Sequence, residues 1–334
     1  MTGMGLGDLA QHLALRRQNA QLKAELARVS NESATGKAAD LTKAVSGDHR
    51  ATAALNRSLT QLGTYKSVTT EAGLVADSVQ TGLTLIQGAL TERHAAALSA
   101  GSTGNAVQIA TTAREARTAF ASAVAALNVQ VAGRPVFSGT GTASPLPDAE
   151  AMLSQLAAAT AGADSADEVV AAVTAWFETD PAGYDGVYRG SATALAPVRI
   201  GEAGQTVQMD VTALDPAIRD ALRGLALAAL ADGGPLLDPD KNAQLMTAAG
   251  EAMANSATNI AALSARVGIL QGRIETAATR NSAETSALTI TLSKFTEVDS
   301  YDSATMLTAV EGQQKTLYAV TARLSALSLL DYLR

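Results

Sequence analysis

The chain has 334 residues, with 25 Lys plus Arg against 32 Asp plus Glu and a net charge of −7 at pH 7. It contains no cysteine, which excludes disulfides, thiolate metal sites, iron–sulfur clusters and cysteine nucleophiles. Aromatic residues make up 3% and charged residues 17%, so the 47% apolar content is mostly Ala, Leu and Val, side chains suited to close helix packing. An acidic balance also argues against nucleic acid, whose binding draws on clustered Lys and Arg.

A helical stripe opens the chain, with Leu6, Leu9, Leu13, Leu22, Leu26 and Val29 at spacings of three, four or their sums, and it ends near Gly36. A second helical stretch carries Leu55, Leu59, Leu62, Val68, Val75, Val79, Ile86 and Leu90. Gly63, Gly73, Gly82 and Gly88 interrupt it, each at ~1 kcal/mol against Ala. Gly101 to Asn105 reads as a loop. A third stripe follows from Ile109 to Val131. At Gly133 the character changes: Gly and Pro cluster as far as Pro147. Two short helices have readable starts, one capped by Asp148 and one by Ser165 with Glu168 at the capping-box spacing. Val198 to Ile200, a Gly201–Gly204 turn, then alternating Val207, Met209 and Val211 predict a β-hairpin.

Helix returns at Asp215-Pro216, stops at Gly233-Gly234-Pro235, and restarts at Asp238-Pro239 with the same device. From there Met246, Met253, Ile260, Val267, Ile274, Leu288 and Phe295 hold a seven-residue register interrupted by Asn281, the pattern of a coiled-coil-like helix. The acidic run Glu297 to Asp302 ends it. A last helix carries Leu307, Val310, Leu317, Val320, Leu324 and Leu327. The fold class is therefore mainly α: a long coiled-coil-like helical bundle from both chain ends, with a small mixed α/β insert containing a β-hairpin.

Apolar seams at chain ends need a partner, because isolated helices are marginal in water. Either they pack on the protein's own core, or the end helices pair with each other and with neighbouring copies. No membrane span is expected, since the longest run free of charged residues, His94 to Ala113, has Gly101–Asn105 in its middle. Arg16 and Arg17 follow the first apolar positions, the reverse of a secretory signal, so the expectation is a cytosolic chain or one exported without such a signal.

Catalytic patterns are missing. His12, His49 and His94 are far apart with no ligand spacing, and Gly139-Thr140-Gly141 lacks the third glycine of a dinucleotide fingerprint. The 297–302 run lacks the glycine and terminal Glu of a calcium loop. The expectation is no enzyme, no cofactor and no metal. Trp176 and Phe177 read as the core of the insert.

The chain ends resemble the flagellin superfamily, and within it the hook–filament junction family (hook-associated protein 3). LKAELARVSNESATGK, Leu22 to Lys37, looks like the opening helix and its Ser/Thr-Gly-Lys turn, and SARVGILQGRIE, Ser264 to Glu275, is similar to the helix bearing Gly268, Arg273, Ile274 and Glu275. LSALSLLDYLR, Leu324 to Arg334, resembles the junction family's C-terminus. GRPVFSGTGTASP, Gly133 to Pro145, and the Tyr184 to Val211 segment resemble its exit from the helical domain and its hairpin. Where the family has an Asp-Asp-Pro run after the Gly-Lys turn, this chain offers Asp40 and Asp48.

The resemblance implies a structural adaptor between hook-associated protein and the flagellin filament, exported through the flagellar type III channel to an extracellular location. A short flagellin that forms the filament itself is the alternative, and a soluble helical sensory or signalling module the second. It implies terminal coiled-coil segments at 1–46 and 297–334, helical-bundle parts at 47–132 and 215–296, and the insert at 133–214. The partners implied are further copies in a ring, a neighbouring hook-associated protein, flagellin, and an export chaperone at the C-terminal helix. Assembly would bury Leu6, Leu9, Leu13, Leu22, Leu26 and Val29 at one end, and Leu307, Val310, Leu317, Val320, Leu324 and Leu327 at the other.

Overall fold

The computed structural model describes residues 6–40, 49–202 and 204–332, with side chains described between residues 13 and 323 of those spans. They form two compact units, one of residues up to 61 together with those from 283, the other of residues 62–282. Nine helices and two small hairpins follow in chain order among the described residues: α1 Leu6–Thr35, α2 Arg50–Thr103, α3 Ala106–Leu127, β1 Gln130–Val131, β2 Arg134–Pro135, α4 Ala149–Thr160, α5 Ala166–Glu178, α6 Tyr184–Val187, β3 Val198–Arg199, β4 Thr206–Val207, α7 Pro216–Ala229, α8 Pro239–Thr296 and α9 Ser300–Tyr332. The fold is mainly α, as the periodicity requires.

The helix starts use the residues expected of them. Asp148 accepts from the Glu150 amide at 3.2 Å, and Asp215 from the Ala217 amide at 3.1 Å, ahead of Pro216. Ser165 accepts from the Glu168 amide, while the Glu168 carboxylate reaches back to the Asp164 amide at 2.7 Å, one residue before the position a capping box uses. Gly36 stops α1 in the left-handed region, φ 66°, with its amide bonded to Glu32 O at 2.8 Å.

Two expectations fail locally. The glycines of α2 do not interrupt it, and the helix runs unbroken to Thr103, so the loop shrinks to Gly104 and Asn105. Gly82 shows why one of them is tolerated. A side chain there would meet the Phe137 ring at 3.0 Å, so the aromatic packs onto bare backbone and offsets the lost propensity. Gly101 and Gly250 act alike, the first bringing α2 onto the Ala243 and Thr247 backbone, the second bringing α8 onto His94 and Leu98.

In the 62–282 unit, α3 lies on α7, α5 packs on α4 and α7, and their apolar faces join the inner faces of α2 and α8 in one core. Trp176, Phe177 and Tyr184 belong to that core and stack edge-on or tilted at 4.9–6.2 Å. Tyr184 is fully buried; its hydroxyl donates to Ala213 O at 2.7 Å, and the Arg219 guanidinium lies 5.1 Å from its ring centre. Burial pushes the Tyr184 phenol well above its ordinary range.

The hairpin predicted at 198–211 is present but short, pairing Val198 with Val207 and Arg199 with Thr206. It rests on α2 and α8 through Ile200, Val207, Ala76, Ile274 and Ala277. Asn281, the polar break in the seven-residue register, donates its side-chain amide to Ile200 O at 2.8 Å. With Arg280, which donates to Gln205, it ties the hairpin to α8. A second hairpin, β1–β2, turns through Ala132 at φ 50° and Gly133 at φ 77°.

Candidate assembly surfaces

In the unit that holds the chain ends, α1 packs along α9. Val29 of α1 and Val310 and Leu317 of α9 are buried in this layer. Leu22, Leu26 and Leu307 are half-buried, while Leu13 at 50% and Val320 at 43% stay largely exposed. Leu6, Leu9, Leu324 and Leu327 sit on the same two helices, with side chains outside the described residues. Asp48 also lies outside the described residues. The two stripes thus face each other through Val29, Val310 and Leu317 and leave Leu13 and Val320 largely in water.

Polar groups frame this layer. Glu32 is 6% exposed, and its carboxylate accepts from Arg28 at 2.6 Å and from the Ala39 amide at 3.0 Å. Hydrogen bonds to Glu25 and then Glu32 raise the already high pKa of the Arg28 guanidinium. Next to it the residues after α1 pair with those between α8 and α9. Ala38 N donates to Thr296 O at 2.8 Å and Val298 N to Gly36 O at 3.1 Å, either side of a Lys37–Glu297 bridge. Asp299, in the acidic run, caps α9 by accepting from the Tyr301 amide at 2.7 Å. Among the described residues of the unit, two buried polar atoms, Asn19 Oδ1 and Ser303 Oγ, have no hydrogen-bond partner. Each such group costs about 1–3 kcal/mol.

The second surface lies in the 62–282 unit. An apolar cleft of about 880 Å³ opens between α2, the two hairpins and α8, floored by Val68, Val131, Pro135, Met209, Leu270 and Ile274. Periodicity could not reveal it, because it is assembled from four separate stretches of chain.

The His94 ring bonds Leu90 O on its own helix at 3.2 Å, and His49 lies just before α2. Among the described residues no group of three His, Asp or Glu is placed to hold a metal ion, and no helix is long and apolar enough to cross a membrane.

What the geometry defines is a helical subunit whose distinctive surfaces are apolar seams and clefts. Residues 247–333, most of α8 and the whole of α9, match the family described as the bacterial flagellin C-terminal helical region. No curated protein matches the chain. The family match covers 87 of the 334 residues; it supports the flagellin superfamily for this C-terminal helical stretch and points to a flagellar structural subunit.

Proposed function

We propose that this chain is a flagellar adaptor that joins hook-associated protein to the flagellin filament, assembling as a ring through its terminal helices. The observation that carries the reading is the incomplete burial of the α1–α9 layer. Val29, Val310 and Leu317 are covered, but Leu13, Met306, Tyr318 and Val320 are 43–50% exposed along the same two helices. Burying a Leu or Val side chain contributes ~1.5–3 kcal/mol, so a neighbour that covers these residues is favoured. The interface proposed is Leu6, Leu9, Leu13, Leu22, Leu26 and Val29 with Leu307, Val310, Leu317, Val320, Leu324 and Leu327. The subunit leaves the cell unfolded through the flagellar type III channel, with a chaperone covering the C-terminal helix before assembly. Exposed apolar surface of this kind otherwise favours aggregation.

Deleting residues 303–334 tests the reading. The expected result is a chain whose 62–282 unit keeps its thermal transition but which neither assembles nor attaches filament. Filament growth supported by the truncated chain would overturn it. Overproduction separates the adaptor from a short flagellin: the adaptor stops at a few layers, whereas a flagellin restores long polymer to a strain lacking filament.

A further inference from the structure

The cleft in the 62–282 unit carries two cations on its lining, Lys66 and Arg134, against one carboxylate, Glu71. No ion pair of Lys66 or Arg134 is present among the described residues. The opposite end of the same unit presents the reverse. Between α7 and α8 the chain turns through Gly233-Gly234-Pro235, and Leu237 stands 95% exposed, the most exposed large apolar side chain of the described residues. Asp238 and Asp240 follow it, both exposed. Asp164 is held alongside, since the Lys241 ammonium donates to its carbonyl at 2.7 Å. The loop is not slack: Asn242 donates to Leu236 O at 3.0 Å and Asp238 accepts from the Asp240 amide at 3.0 Å. An apolar knob with an acidic collar stands at one end, and an apolar cleft with basic side chains at the other.

These two features cannot meet within one copy. Gly101 packs on Ala243 and Thr247, so the start of α8 lies beside the end of α2. The cleft lies on α2 from Lys66 to Val75. The helical rise puts some 26 residues, or ~40 Å, between them. We propose that the 233–240 loop of one copy seats in the cleft of a second copy, with Leu237 in the apolar floor and Asp238 and Asp240 against Lys66 and Arg134. Such a contact joins different patches on the two copies. It therefore propagates head to tail instead of closing into a symmetric dimer. It deepens the assembly reading, on which it rests, by adding a contact outside the terminal seams.

The absence of native cysteine makes the test direct. Full-length Leu237→Cys and Thr70→Cys chains are mixed in equal amounts and oxidised mildly. The expected product is the mixed disulfide, in about tenfold excess over either homotypic dimer. A statistical distribution overturns the contact, whether or not the chain polymerises. Charge reversal gives an independent readout by sedimentation. Lys66→Glu with Arg134→Glu in one chain, or Asp240→Lys in another, should each weaken self-association about tenfold. Mixing the two reversed chains should restore it, and failure to restore it counts against the proposal. Loss of assembly only on truncating residues 303–334, with a statistical disulfide pattern, would leave the terminal seams standing and remove this contact alone.

Discussion

In the 62–282 unit Leu83, Phe120, Leu222 and Met253 are fully buried in one continuous core. In the unit of the chain ends the buried apolar residues, among those described, are Val29, Val310 and Leu317. Both are built from Ala- and Leu-bearing helices of similar composition, so composition does not separate them. The number of faces engaged does. α2, α3, α7 and α8 of the larger unit each turn apolar residues toward several neighbours, whereas α1 and α9 meet chiefly along one line. A core closed on several sides makes a folded unit; a seam closed on one side makes a surface awaiting another copy.

The sharpest way to break this comparison is to cut one residue from each region. Phe120→Ala should cost about 3–5 kcal/mol, lowering the thermal transition of the isolated chain by calorimetry. Val320→Ala, at a side chain 43% exposed in the single chain, should cost less than about 1 kcal/mol there and yet abolish assembly. Equal losses from the two changes would erase the distinction. Asn281→Ala comes next, at about 1–3 kcal/mol, because the buried Ile200 carbonyl loses its donor. Faster amide exchange confined to the 198–207 hairpin is the measurement that checks it. Asn281→Leu would complete the heptad register but should not recover the loss.

Alkaline pH probes the larger unit through Tyr184. Its folded state holds the Tyr184 phenol protonated, with the pKa raised by burial. The stabilisation is therefore intact below about pH 10, the unfolded value, and is lost as pH rises above it toward the folded value. Phenolate absorbance should show part of the six tyrosines ionising together with unfolding. Smooth ionisation of all six at the ordinary value, with the fold intact, would contradict the burial. The smallest effect is a gain. Ala132→Gly relieves a left-handed backbone in the β1–β2 turn and should stabilise by about 0.5–1 kcal/mol, read as a higher denaturation midpoint.

Much of this fold was legible because it depends on local chemistry. Asp148, Ser165 and Asp215 cap the helices that follow them, the acidic run ends α8, and alternation about Gly201–Gly204 marks a hairpin. What stayed hidden depends on distant partners. Gly82 reads as a helix breaker until Phe137 is seen lying against it. The β1–β2 hairpin escaped notice because its turn is Ala132-Gly133, not the Asn-Gly that such a turn favours. Asn281 stood out as an exception, but nothing near it in the chain names Ile200 as its partner. For the candidate surfaces the end stripes were visible as stripes. Which members face inward, Val29 and Leu317, and which face water, Leu13 and Val320, depends on how α1 and α9 meet. The cleft, gathered from four stretches of chain, left no periodic trace.

The backbone tie between Gly36–Ala38 and Thr296–Val298 has a mechanical consequence. Its two amide bonds run between strands that leave α1 and α8 side by side, in the antiparallel sense. A subunit loaded along its helices would resist stretch at this level in the manner of a clasp, by backbone instead of by packing.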